Sequence, residues 1–210
     1  IHAFSRSGRA PSHEKIEAGR LDLEDEASIE AAAAHVSGAG APDFVFVATG
    51  ILSDGADLQP ERAFKYQTRE AFERVFSINT YGPALVAKHF LPIMPRKGRT
   101  LFAALSARVG SISDNRKGGW HAYRASKAAL NMLIRNYAIE QARRNEDSII
   151  VSLHPGTVDT DLSKPFQRGV PEQQLFTAEQ SANYLLDVTS ALTPADSGKA
   201  FDWAGKEIPA

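Results

Sequence analysis

Mostly apolar runs recur along the chain: "IHAF" at 1–4, "FVFVATG" at 44–50, "TLFAALS" at 100–106, "IIVSLHPG" at 149–156 and "KAFDWAG" at 199–205. Between them apolar residues return with a helical period. This predicts helices over 26–37, 69–91, 122–145 and 177–190, with breaks at Pro60, Pro92, Pro95, Pro155 and Pro165. A strand that reads as a nearly continuous apolar run is covered on both faces, and strands joined through a helix run parallel because the crossover returns the chain to the same end. The pattern therefore predicts an α/β fold built on a doubly wound parallel sheet. No repeat, no biased tract beyond "AAAA" at 31–34 and no Pro-, Gly- or Ser-rich linker divides the chain, so 1–210 is expected to form one domain.

Composition narrows the function. Of 210 residues 43% are hydrophobic and 23% charged, as in a sizeable soluble domain. The 24 basic and 25 acidic residues leave a formal charge of −1, too little to create the positive field that draws nucleic acid or anionic lipid. No apolar run approaches the roughly 20 residues that a bilayer requires. The absence of cysteine excludes disulfides and thiolate metal sites and suits the cytoplasm. Histidines stand at 2, 13, 35, 89, 121 and 154, with no pair at the spacing of a zinc motif, so no metal is expected.

In a doubly wound sheet, ligands gather beyond the carboxyl ends of the strands. Arg6, Asp22, Gly50, Ser106, Ser111, Pro155, Gly156 and Thr160 fall there. In "WHAYRASKAALNML", residues 120–133, Tyr123 and Lys127 are four apart and share one helical face. A cation beside a phenol favours its ionised form and lowers its pKa from about 10, toward the range where acid–base catalysis is most efficient. Asp159 and Asp161 would allow paired-carboxylate chemistry in principle, but nothing else in the chain supports it.

In order along the chain stand "LDLED" at 21–25, "VATGIL" at 47–52, "SINTYGP" at 77–83, "LSARVGSISDN" at 105–115, "YRASKAALN" at 123–131, "HPGTVDTDL" at 154–162 and "FDWAGKEIP" at 201–209. On these stretches the chain resembles, from end to end, the short-chain dehydrogenase/reductase family. Within it the chain is most similar to the carbonyl-reductase branch, sniffer-like enzymes included, that also holds the C-factor-like signalling proteins.

The resemblance implies a Rossmann-type fold and an NAD(P)-dependent oxidoreductase that reduces a small carbonyl compound or oxidises an alcohol. Tyr123 would exchange the proton. Lys127 would lower the tyrosine's pKa and hold the nicotinamide ribose, and Asn79 would kink its helix and hold a water leading to Lys127. The family's usual second serine is Ala107 here, which leaves Ser106, Ser111 or no serine to polarise the substrate. Ser106 is expected to point to the opposite side of a regular strand.

For the cofactor, "FSRSG" places Arg6 where an acidic residue would select NAD, and so favours NADP. Asp22 with Leu23 would contact the adenine, or Asp22 would cap a helix. Ala48 and Gly50 would line the cleft; Thr160 would bind the carboxamide within a loop shaped by Pro155, Gly156 and Val158. The glycine-rich turn for the pyrophosphate is not in these residues, and the functional protein is expected to begin upstream of Ile1, with a strand lying between those at 1–4 and 44–50 in the order 3-2-1-4-5-6.

Residues 161–176 match the family's lid, where Leu162, Phe166, Leu175 and Phe176 either face an apolar ligand or pack the lid down. Apolar residues on more than one side of the helices at 69–91 and 122–145 (Val75, Ile78, Val86, Phe90, Leu130, Leu133, Ile134 and Ile139) point to a homodimer or homotetramer.

Overall fold

The computed structural model describes residues 1–55, 57–168 and 171–210, Glu172 through its backbone only. Strand β1 (His2–Ser5) pairs in parallel with β2 (Glu17–Arg20), and helix α1 (Glu26–Ala39) follows. Strands β3 (Phe44–Val47), β4 (Thr100–Leu105), β5 (Ser148–His154), β6 (Ala200–Asp202) and β7 (Glu207–Ile208) form a five-stranded sheet in that order, parallel except for β7. Helices α2 (Arg69–Phe76), α3 (Gly82–Phe90), α4 (His121–Ala142) and α5 (Ala178–Ala191) supply the crossovers. This is the expected Rossmann-type architecture with a central parallel sheet.

The alternation of side chains along buried strands builds a core on each face of the sheet. Val45, Val47, Phe102, Ala104 and Ile150 face α1, α3 and α4, where Ile29, Phe90, Leu130 and Ile134 complete one cluster. Phe4 of β1 packs against that same cluster, so the two-stranded and five-stranded sheets share a core. Leu101, Ala103, Ile149, Val151 and Leu153 face the other way, onto Leu185 and Val188 of α5. Thr177 and Gln180 form a capping box at the start of α5.

Several expectations need correction. The helix predicted over 69–91 is interrupted by a π-helical segment at Ser77–Tyr81. Strand β2 was not foreseen; "EAGR" carries neither the β-branched residues nor the apolar run that mark a strand. Most of the residues read as a partner face lie within the chain's own core: Val75, Val86, Phe90, Leu130 and Ile134 are all 5% exposed or less. The exposed apolar residues of this region are Tyr81, Met132 and Ile139. Among the described residues, no helix is long and apolar enough to cross a membrane.

Candidate active site

Helix α4 begins from an unusual turn. Gly118, Gly119 and Trp120 all have positive φ, with Trp120 at 51°, a conformation rare for a bulky residue and held only by surrounding contacts. Glu61 supplies those contacts. Its carbonyl oxygen accepts from Trp120 N at 2.6 Å, and its carboxylate accepts from Ala122 N at 3.2 and 3.3 Å. The side chain is buried, and an anion at a helix amino end is favoured by the unpaired N–H groups there. Glu61 thus fixes the first turn of α4, which carries Tyr123. Nothing in the sequence links a residue at 61 to a helix starting at 121.

Tyr123 is partly buried and packs beside Leu58, Val75 and Ala122. Lys127, one turn on, is almost fully buried; its Nζ lies 5.9 Å from the Tyr123 ring centroid and donates to the carbonyl oxygen of Leu105 at 2.8 Å. The expected lowering of the phenol's pKa is overturned. Desolvation pushes Tyr123 up to about 12, and the same burial pushes Lys127 down to about 7. Charge near the phenol was legible in the sequence, but the loss of water around both groups was not.

Asn79 sits fully buried inside the π-helical segment. Its Oδ1 accepts from Ile51 N and its Nδ2 donates to Ile51 O, both at 2.8 Å; Nδ2 also reaches Ser126 Oγ at 3.2 Å. Thr80 Oγ1 donates to the carbonyl of Ser126 at 3.0 Å. The π-turn therefore aims Asn79 at the loop after β3 and ties that loop to α4. Both Nδ2 hydrogens of Asn79 are thus engaged, while Oδ1, with one donor, keeps a second lone pair.

Ser106, just past the end of β4, is held by Asn131 of α4. Its Oγ donates to Asn131 Oδ1 at 2.8 Å, and Ser152 Oγ donates to the same atom at 2.9 Å. Asn131 lies one turn beyond Lys127, so "SKAALN" carried its signal without its role being read. Ser111 is buried and accepts from Asp114 N at 3.1 Å. The loop holding it is clamped by Arg108, which bonds Asp202 at 2.7 Å and Asp114 at 3.3 Å. A Cβ on Gly110 would come within 2.8 Å of Lys127 Cβ, so a glycine lets this loop lie directly on α4.

The residues proposed for a cofactor lie along strand ends. Arg6 is exposed in the turn after β1. Asp22 accepts from Glu24 N at 3.1 Å, while Leu23 is buried in the core against Gly82 and offers a ligand only its backbone. Ala48 and Gly50 are exposed after β3. Gly156 adopts φ 78°, and a Cβ there would strike the Phe176 ring at 2.6 Å. Pro155 O accepts from Ser181 Oγ at 2.9 Å, and Val158 O accepts from Ser163 Oγ, which holds the turn bearing Thr160. Asp161 is fully exposed and Asp159 bonds Gln167 at 2.9 Å, an arrangement with no paired-carboxylate chemistry.

The lid residues divide between the two readings. Phe176 is buried against Tyr184 and Trp203, with ring centroids 5.2 and 4.7 Å away. Leu175 is half-buried beside it in a short strand. Phe166 meets Trp120 edge-on at 5.1 Å, and Trp120 meets Tyr123 at 6.3 Å, while Leu162 stays exposed. Residues 169 and 170 of this segment lie outside the described residues.

A family model described as enoyl-(acyl carrier protein) reductase matches residues 7–200. The chain belongs to the short-chain dehydrogenase/reductase family and is an oxidoreductase of that family. It is 39% identical over 136 residues to the C-signal protein of Myxococcus xanthus, covering 65% of this chain and 76% of that one. It is 33% identical over 180 residues to 1-hydroxy-2-glutathionyl-2-methyl-3-butene dehydrogenase of Rhodococcus sp. (strain AD45), covering 85% and 74%. Among solved structures it superposes on NADPH-bound carbonyl reductase from chicken fatty liver with a TM-score of 0.80 and 28% identity, over 94% of this chain and 79% of the other.

Proposed function

We infer that the protein is an NADPH-dependent reductase of small carbonyl compounds, working as one dinucleotide-binding domain, with Tyr123 as the proton donor. The observation that carries this reading is the placement of the Tyr123 phenol beside Leu58, Val75 and Ala122, one helical turn before a buried lysine whose Nζ lies 5.9 Å from its ring centroid. A protonated phenol there can give its proton to a carbonyl oxygen as hydride reaches the carbonyl carbon. A nicotinamide dinucleotide, when bound, supplies the hydride.

The residues present fit that group. A Cβ at Gly50 would lie 3.4 Å from Lys127 Nζ and 3.5 Å from Asn79 Oδ1, so glycine keeps the backbone open beside the lysine. Lys127 would hold the ribose hydroxyls, Thr160 the carboxamide, and Pro155, Gly156 and Val158 the loop beneath it. Ala48 and Gly50 would line the cleft, and Asp22 with the Leu23 backbone would meet the adenine. Arg6 is exposed at the end of β1 and suits a 2′-phosphate. Of the serines, Ser106 is engaged with Asn131, which leaves Ser111 to polarise the substrate oxygen.

The wall formed by Trp120 and Phe166 suits an apolar substituent on the substrate. Met132 and Ile139, seven apart on α4 and exposed, form the stripe we assign to homodimer or homotetramer contacts. We assign the protein to the cytoplasm.

A second reading is favoured by Ala107 in the usual serine position and by the likeness to the C-signal protein. In it the protein binds the dinucleotide and signals with little turnover. Oxidation of NADPH against a panel of carbonyl compounds, with NADH as the control, separates the two. Turnover with NADPH, shifted toward NADH by Arg6→Ala, supports the reductase; tight NADPH binding without turnover of any carbonyl supports the second reading.

A further inference from the structure

The amino ends of β1 and β2 carry a second group of chemically competent side chains. His2 and Glu17 are register partners on these strands and so project on one face. His35, from α1, meets them there. Its Nε2 lies 2.6 Å from Glu17 Oε1, and His2 Nδ1 lies 3.4 Å from Glu17 Oε2. The three ligand atoms all fall within 4.8 Å of one another, and the two imidazoles meet edge to face at 5.4 Å. Among the described residues His2 Nδ1 is buried and without a hydrogen-bond partner, a condition that normally has a reason.

We propose that His2, Glu17 and His35 form a binding site for a borderline divalent transition ion of the zinc class, with solvent as the remaining ligand. In a tetrahedral site with bonds of about 2.0–2.2 Å, neighbouring ligand atoms stand about 3.3–3.6 Å apart. The separation of His2 from Glu17 already meets this, and the carboxylate and ring of Glu17 and His35 are half-exposed and free to rotate into place. Imidazole nitrogens select such ions over magnesium and calcium, which take oxygen cages. Binding would displace the contact between His35 and Glu17 and give the orphaned His2 nitrogen a partner. Spacing along the chain could not show this, because the histidines come from β1 and α1. The ion would tie β1, β2 and α1 together, the unit whose loops carry Arg6 and Asp22.

The test is a calorimetric titration of full-length, untagged, chelator-treated protein with zinc ion alone, followed by thermal melting. One zinc per chain and a raised melting temperature are expected, because a ligand bound only by the folded state stabilises it. His35→Ala and Glu17→Gln should each weaken binding by more than about tenfold, the lower end of the range that even supporting residues command, with metal-free melting unchanged. In the wild type, zinc should also protect His2 and His35 from diethylpyrocarbonate, a reading that depends on no variant. No binding, equal binding by wild type and both variants, or unprotected histidines would overturn the proposal.

Discussion

The ammonium of Lys127 donates to the carbonyl oxygen of Leu105 at 2.8 Å, not to the phenol of Tyr123 four residues before it. The lysine is thereby anchored to the end of β4 inside the core, and its burial rather than its charge dominates the titration of the pair.

That relationship sets a pH dependence. The folded-state pKa of Lys127, about 7, lies below its ordinary 10.5, so the unfolded chain binds more protons between these values and stability rises with pH across that window. Relative to Lys127→Met, the wild type should gain stability from about pH 7 to pH 10, measured by denaturant unfolding in the absence of nucleotide. A parallel pH dependence in both proteins would show that the lysine is not desolvated as described.

Glu61 acts through α4. Glu61→Gln should cost about 1 kcal/mol of stability, the worth of a helix cap or a charge at a helix amino end. It should also lower kcat more than it raises KM, because the first turn of α4 carries Tyr123. Denaturant melts and steady-state kinetics on the same preparations check both.

Asn79 bridges the π-turn and the loop after β3. Asn79→Ala would leave the part-buried N–H and carbonyl of Ile51 without their partner, a loss of about 1–3 kcal/mol. Amide exchange at Ile51 should accelerate more than exchange in α5, which packs on the opposite face of the sheet.

The serines should separate cleanly. Ser106→Ala removes one of two donors to Asn131 and should cost about 1 kcal/mol while leaving kcat nearly unchanged. Ser111→Ala should lower kcat by about 10²-fold if it polarises the developing oxyanion. The reverse pattern would reassign the roles.

Much of the fold was legible because strands buried on both faces read as apolar runs, and the helices of 121–142 and 178–191 carry an unbroken period. The π-turn was not, since it rests on Asn79 reaching Ile51, 28 residues away. Val75 and Ile134 looked like a partner face because periodicity shows that a side is apolar, but not what covers it. The pairing of Tyr123 and Lys127 followed from spacing; the direction of their pKa shifts needed the burial that only the packed chain supplies. Glu61 carried no local signal at all.

Proton donation by Tyr123 is isolated by Tyr123→Phe, which removes the transferable proton and keeps the ring. With NADPH and a carbonyl substrate that the wild type reduces, the variant should bind NADPH with unchanged affinity and lose about 10²–10⁴-fold in single-turnover rate. A rate within a few-fold of the wild type would contradict the assignment of Tyr123 as proton donor.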